Sequence, residues 1–198
     1  MQQKALDGLK WIVSILNKIH APYRLGGGTA THLYGSGRPV NDIDISISGK
    51  YFPSILPLVK KYITIEPTHY SVEKWDCTTL SLNYHGQDID LTDVDSLLMR
   101  SNDGKKWIRN KEIYEKHPNQ TVQVDGANVT LMHPKVLLEY KAHLSGEHQE
   151  YDRKFLAEYI KKLRKSVKRG SHFVPEPQHP RERKYNPHNH AKQTRYYF

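Results

Sequence analysis

One segment constrains this chain more than any other: Leu25-Gly-Gly-Gly-Thr-Ala-Thr-His-Leu-Tyr-Gly-Ser-Gly-Arg-Pro-Val-Asn-Asp-Ile-Asp-Ile45. Tyr23-Arg24-Leu25 reads as a short strand running into Gly26-Gly27-Gly28. A helix from Thr29 to about Tyr34 follows, and Gly35-Ser36-Gly37 ends it. Asn41 to Ile47 alternates polar residues with Ile at period two, which predicts a strand with one buried face. Glycines at a strand-to-helix turn present backbone N–H groups without side-chain obstruction, an arrangement suited to phosphate. Asp42 and Asp44, two apart on a strand, project from one face. Two adjacent carboxylates repel unless a cation compensates, and Mg²⁺ is typically held by one or two carboxylates plus substrate phosphates.

The rest of the chain supplies a body around that segment. Leu6, Leu9, Ile12, Val13, Leu16 and Ile19 recur at helical spacing and predict an amphipathic helix over 5–20. A helix is expected over 51–62, with Pro53 near its start and Pro57 kinking it. Strands are expected at 63–66, 77–84 and 87–92, the last two as a hairpin, and a polar helical stretch over 94–116. A second hairpin over 121–131 turns at Asp125-Gly126. Two helices, Pro134–Leu144 and Glu150–Val167, close the body. The expected class is α/β in the α+β sense, a small mixed sheet flanked by helices. The boundaries expected are 1–132 for a catalytic domain, 133–169 for a C-terminal helical segment and 170–198 for a basic extended or disordered tail.

Charge separates the tail from the body. The 198 residues hold 30 Lys and Arg against 21 Asp and Glu, a formal charge of +9. Residues 161–198 contain eleven of those bases and two of the acids, so 1–160 is balanced. That disfavours a surface coating nucleic acid throughout. Lys161 to Arg169, Arg181 to Tyr185 and Arg195 to Phe198 interleave cations with tyrosines, a texture that suits phosphate backbone and base stacking. A solvated tail, or an arm on a partner subunit, is the plainer alternative. The single Cys77 excludes an intramolecular disulfide or multi-Cys zinc site and reads as core. No apolar run reaches ~20 residues and no signal peptide is evident, so the expected location is cytoplasmic, with no membrane partner. No Gly-Lys-Ser/Thr follows the glycines, which excludes a Walker loop. The absence of alternating strand–helix units disfavours a dinucleotide fold.

With those residues in place, the segment resembles the signature of the nucleotidyltransferase superfamily, the polymerase-beta-like fold. Gly27-Gly28-Thr29-Ala30, Leu33, Arg38 and Asp42-Ile43-Asp44 fall at the spacing of the abortive-infection toxin and the aminoglycoside and lincosamide nucleotidyltransferases. Val40 stands where Ser or Thr is often found. The resemblance implies a third carboxylate on a neighbouring strand. Gln87-Asp88-Ile89-Asp90-Leu91 supplies it, Asp90 in the better context and Asp88 as the fallback. A looser likeness covers His133 to Lys141 and Tyr151 to Leu156, where Lys141 matches a lysine position and Asp152-Arg153-Lys154 depart from the usual order.

The resemblance implies transfer of a nucleoside monophosphate from an NTP to an acceptor hydroxyl, with release of pyrophosphate. Asp42, Asp44 and Asp90 would be the catalytic residues and the ligands of two Mg²⁺ (or Mn²⁺) ions. Gly27, Gly28 and Thr29 would clasp the leaving phosphates. Arg38 would neutralise charge there or buttress the loop, and Lys141 would reach the phosphates, brace the acidic site or stand as an exposed helix lysine. RNA, tRNA above all, is the expected acceptor, recruited by the tail as in toxin members of the family. The alternatives are a small acceptor such as an antibiotic, or a catalytically silent NTP- or nucleic-acid-binding module.

Overall fold

The computed structural model describes residues 1–168, with side chains through 165. The tail of 170–198, and the nucleic-acid contacts expected of it, lie outside the described residues. In chain order the elements are α1 (Gln3–Lys18), β1 (Tyr23–Leu25), α2 (Gly27–Leu33), β2 (Asp42–Ile47), α3 (Phe52–Val59), β3 (Ile63–Ser71), β4 (Trp75–Tyr84) and β5 (Gln87–Asp93). They continue as β6 (Leu98–Arg100), β7 (Trp107–Arg109), α4 (Asn110–Tyr114), β8 (Gln120–Val124), β9 (Ala127–Leu131), α5 (Pro134–Ala142) and α6 (Glu147–Lys168).

The described strands form one mixed sheet in the order β7-β6-β4-β5-β2-β1-β9-β8, with β3 against β4. β2 runs antiparallel to β1 and parallel to β5. Period-two alternation makes the sheet two-faced. Ile43, Ile45, Ile47, Leu80, Leu82, Ile89 and Leu91 are buried in the core, together with Leu9, Ile12, Val13 and Leu16 of α1. α1 comes so close that a Cβ on Gly8 would lie 3.0 Å from Gln87 Cγ. The opposite face carries the even-numbered carboxylates of β2 and β5.

Two hairpins follow from turn chemistry. His85 and Gly86 both have positive φ (49° and 88°), as do Asp125 and Gly126 (47° and 81°). Positive φ at both central residues is the condition for a two-residue turn whose twist matches its strands. The helix expected over 94–116 does not form. Residues 98–109 make a β6–β7 hairpin, and only Asn110–Tyr114 is helical. The reason lies in Ser101-Asn-Asp-Gly104, where the Asp103 carboxylate accepts from the Lys105 N–H and Ser101 Oγ from the Lys106 N–H. Such local side-chain acceptors compete with helix formation, and Gly104 takes φ +70°. β3 extends beyond its expected end to Ser71, with a register irregularity on either side of Ile65, the second passing Pro67 before Thr68.

Candidate active site

The parallel β2–β5 pairing builds the site. Asp42 lies opposite Asp88 and Asp44 opposite Asp90, so four carboxylates share one face of two adjacent strands. Asp42 is exposed, and Asp44, Asp88 and Asp90 are partly buried. Asp88 accepts a 2.8 Å bond from Asn83 Nδ2, whose Oδ1 in turn accepts the Gly86 N–H of the hairpin turn. Asp90 lines a cavity of about 280 Å³ that also reaches Gly27 and Asp44. Asp93 sits further along β5, where its carboxylate accepts from the Gly49 N–H and Ser96 Oγ, a structural use.

Burial, reinforced by repulsion from Asp42 and Asp90, pushes the Asp44 carboxyl up to about 8, while Lys141 and Arg38 pull against that rise. Clustered carboxylates that disfavour their own ionisation are the donor set a divalent cation would relieve. Among the described residues, no three acidic, His or Cys side chains already converge as a metal cage.

The glycines have a packing reason beyond conformational freedom. Gly27 takes φ +55°, and a Cβ there would lie 1.7 Å from Asp44 Oδ2. A Cβ on Gly28 would lie 2.2 Å from Arg38 Nη2. Thus the turn packs its bare backbone against a carboxylate on one side and a guanidinium on the other. Thr29 is fully buried, and its hydroxyl donates to the Asp42 carbonyl at 2.6 Å. Its side chain fixes the start of β2 and offers no surface to a phosphate.

Arg38 and Lys141, far apart in sequence, meet at a residue to which sequence reading assigned no role. Arg38 donates through Nε and Nη2 to the two oxygens of Asp152, both at 3.1 Å. Lys141 Nζ lies 2.8 Å from Asp152 Oδ2 and donates to Gln149 Oε1 at 3.0 Å. Side-chain exposure is 11 % for Arg38, 1 % for Lys141 and 0 % for Asp152. Lys141 is therefore no exposed helix lysine, nor does its ammonium reach solvent. Burial lowers its pKa, opposed by Asp152. The signal available beforehand was a carboxylate near the start of a helix downstream of two orphan cations.

The cavity walls are largely uncharged. Trp75, Cys77, Thr79, Thr92, Tyr114 and Tyr140 line it beside Asp44 and Asp90. Burial pushes Tyr114 up to about 12 and Tyr140 well above its ordinary value, so both phenols stay protonated. Burial likewise raises Cys77, which keeps the thiol neutral.

No family model matches the chain, and no curated protein does. Solved structures do. TM1012 of Thermotoga maritima, a nucleotidyltransferase candidate, superposes with a TM-score of 0.57 at 20% identity, over 85% of this chain and 96% of that one. An antigenic nucleotidyltransferase-like protein of Paracoccidioides brasiliensis gives 0.52 at 15% identity, over 81% and 77%. The antibiotic-resistance factor ANT(2″)-Ia gives 0.51 at 12% identity, over 86% and 94%. At such identities the likeness is one of architecture. The chain has the fold of the nucleotidyltransferase superfamily.

Proposed function

We propose that this protein transfers a nucleoside monophosphate from an NTP to an acceptor hydroxyl. One observation carries the reading: the β2–β5 register places Asp42, Asp44 and Asp90 on one face, with the Gly27 backbone against Asp44. These three carboxylates would hold Mg²⁺ or Mn²⁺, the triphosphate completing the shell. When bound, the metal would lower the acceptor hydroxyl's pKa and offset the triphosphate's charge. The Gly27 and Gly28 N–H groups would meet the phosphates while Asp44 and Arg38 pack against the turn, and the Thr29 hydroxyl holds β2 in place. Asp90, on the cavity side, receives the acceptor proton. The acceptor oxygen bonds to the α-phosphorus as the bond to pyrophosphate breaks.

RNA is the acceptor we favour, tRNA above all, because the cationic excess is confined to residues 161–198. A small acceptor is the second reading, favoured by the cavity of about 280 Å³ beside Asp90. ANT(2″)-Ia has also been seen with adenylyl-2″-tobramycin. The uncharged cavity walls suit a neutral acceptor better than a polycation.

The test is incubation with each labelled NTP and Mg²⁺, with and without total tRNA or candidate antibiotics. Label on RNA supports the first acceptor and label on an antibiotic the second. No label on any acceptor, from protein that still binds NTP, would leave a silent binding module and defeat the proposal.

A further inference from the structure

The first turns of α6 are joined to the glycine turn by a continuous set of buried contacts. Asp152 holds the Arg38 fork with two 3.1 Å bonds. The Arg38 guanidinium in turn packs on the Gly28 backbone, where a Cβ would lie 2.2 Å from Nη2. Next in sequence, Gly27 abuts the Asp44 carboxylate. Asp152 also takes Lys141 at 2.8 Å, so one buried carboxylate serves two buried cations. Its neighbours secure the same junction. Tyr151 donates its hydroxyl to the Ser36 carbonyl at 2.7 Å, and Arg153 donates to the carbonyls of Lys141 and Leu144.

We propose that Asp152 is a positioning residue of the transfer site, acting through Arg38 on the Gly27–Gly28 turn and so on where the triphosphate can lie. This rests on the transfer reading above. The physical reason is the geometry of the fork. A guanidinium has several donors in one plane, and fixing two of them on a carboxylate orients the rest. Arg38 unheld could swing away from Gly28, and the turn would lose the wall against which it packs.

The experiment is a double-mutant cycle on the full chain, reading calorimetric affinity for non-hydrolysable analogues of the four NTPs with Mg²⁺, and melting temperature alongside. Asp152→Asn keeps the shape and removes the charge. Arg38→Lys keeps the charge and loses the fork. Each single variant is expected to lower analogue affinity about tenfold or more. The double variant is expected to be no weaker than the weaker single, because both act through one path. Folded Asp152→Asn with affinity within about twofold of wild type overturns the proposal, as do fully additive losses. Should Asp152→Asn fail to fold, Arg38→Lys decides alone by the same margin. Wild-type protein that binds no analogue defeats the transfer reading itself, a distinct outcome.

Discussion

Gly27 and Asp44 are in contact through a space that no Cβ can enter, since one built on Gly27 would fall 1.7 Å from Asp44 Oδ2. The strand–glycine–helix turn and the acidic strand are therefore one unit. The turn sets where the carboxylate stands, and the carboxylate limits what residue the turn can contain.

Gly27→Ala follows directly. The φ of +55° costs about 1 kcal/mol for a residue with a Cβ, and the clash with Asp44 must be relieved by moving the carboxylate. Transfer should fall about a hundredfold or more. Gly26→Ala is the control, its Cβ meeting only the flexible Met132 Cε at 3.4 Å. Labelled-NTP transfer beside melting curves distinguishes the two, and equal losses in both variants would contradict this account.

The pH dependence of stability has a definite sign. The Asp44 carboxyl titrates near 8 in the fold against 3.8 unperturbed, so its contribution is full below about pH 4 and lost as pH rises through about 8. Metal-free protein should melt lower at about pH 9 than at about pH 5, and Asp44→Asn should flatten that fall while abolishing transfer. Added Mg²⁺ should raise the melting temperature more at the alkaline end. A pH profile unchanged in Asp44→Asn would remove Asp44 as its source.

Asp88 and Asp90 of β5 should behave differently. Asp88 is tied to Asn83, whereas Asp90 lines the cavity beside Asp44. Asp90→Asn should reduce transfer by about a thousandfold and Asp88→Asn by less than about tenfold. The reverse order, read from initial rates, would make Asp88 the third carboxylate.

Thr29→Val tests the buried brace. Losing the 2.6 Å bond leaves the Asp42 carbonyl without that partner and should destabilise the fold by about 1–2 kcal/mol. Denaturant unfolding measures it. A loss of nucleotide affinity without loss of stability would instead assign the hydroxyl to the ligand.

Much of this site is legible in one stretch of chain because its parts are close in sequence and obey local periodicity. Asp42 and Asp44 share a face by strand alternation alone, whereas Asp90, on a later strand, is singled out only by the family resemblance, with Asp88 as its fallback. The 94–116 region misleads because its polar, helix-compatible residues hide a turn, and the buried Leu97 and Met99 are too few to announce a strand. Arg38 and Lys141 are ambiguous for another reason. A cation's role depends on which carboxylate it meets, and Asp152 lies 114 residues beyond Arg38.

The sequence by itself determined the strand–glycine–helix–acidic-strand unit with its Asp42 and Asp44 pair, and the confinement of the net positive excess to the end of the chain. Those are properties of neighbours, fixed by backbone geometry and composition. Only the tertiary structure decided that Asp44 faces Asp90 across a parallel ladder, that the Thr29 hydroxyl is buried on the Asp42 carbonyl, and that Arg38 and Lys141 converge on Asp152. Each requires residues far apart in the chain to be desolvated together, where a charge is tolerated only beside its partner.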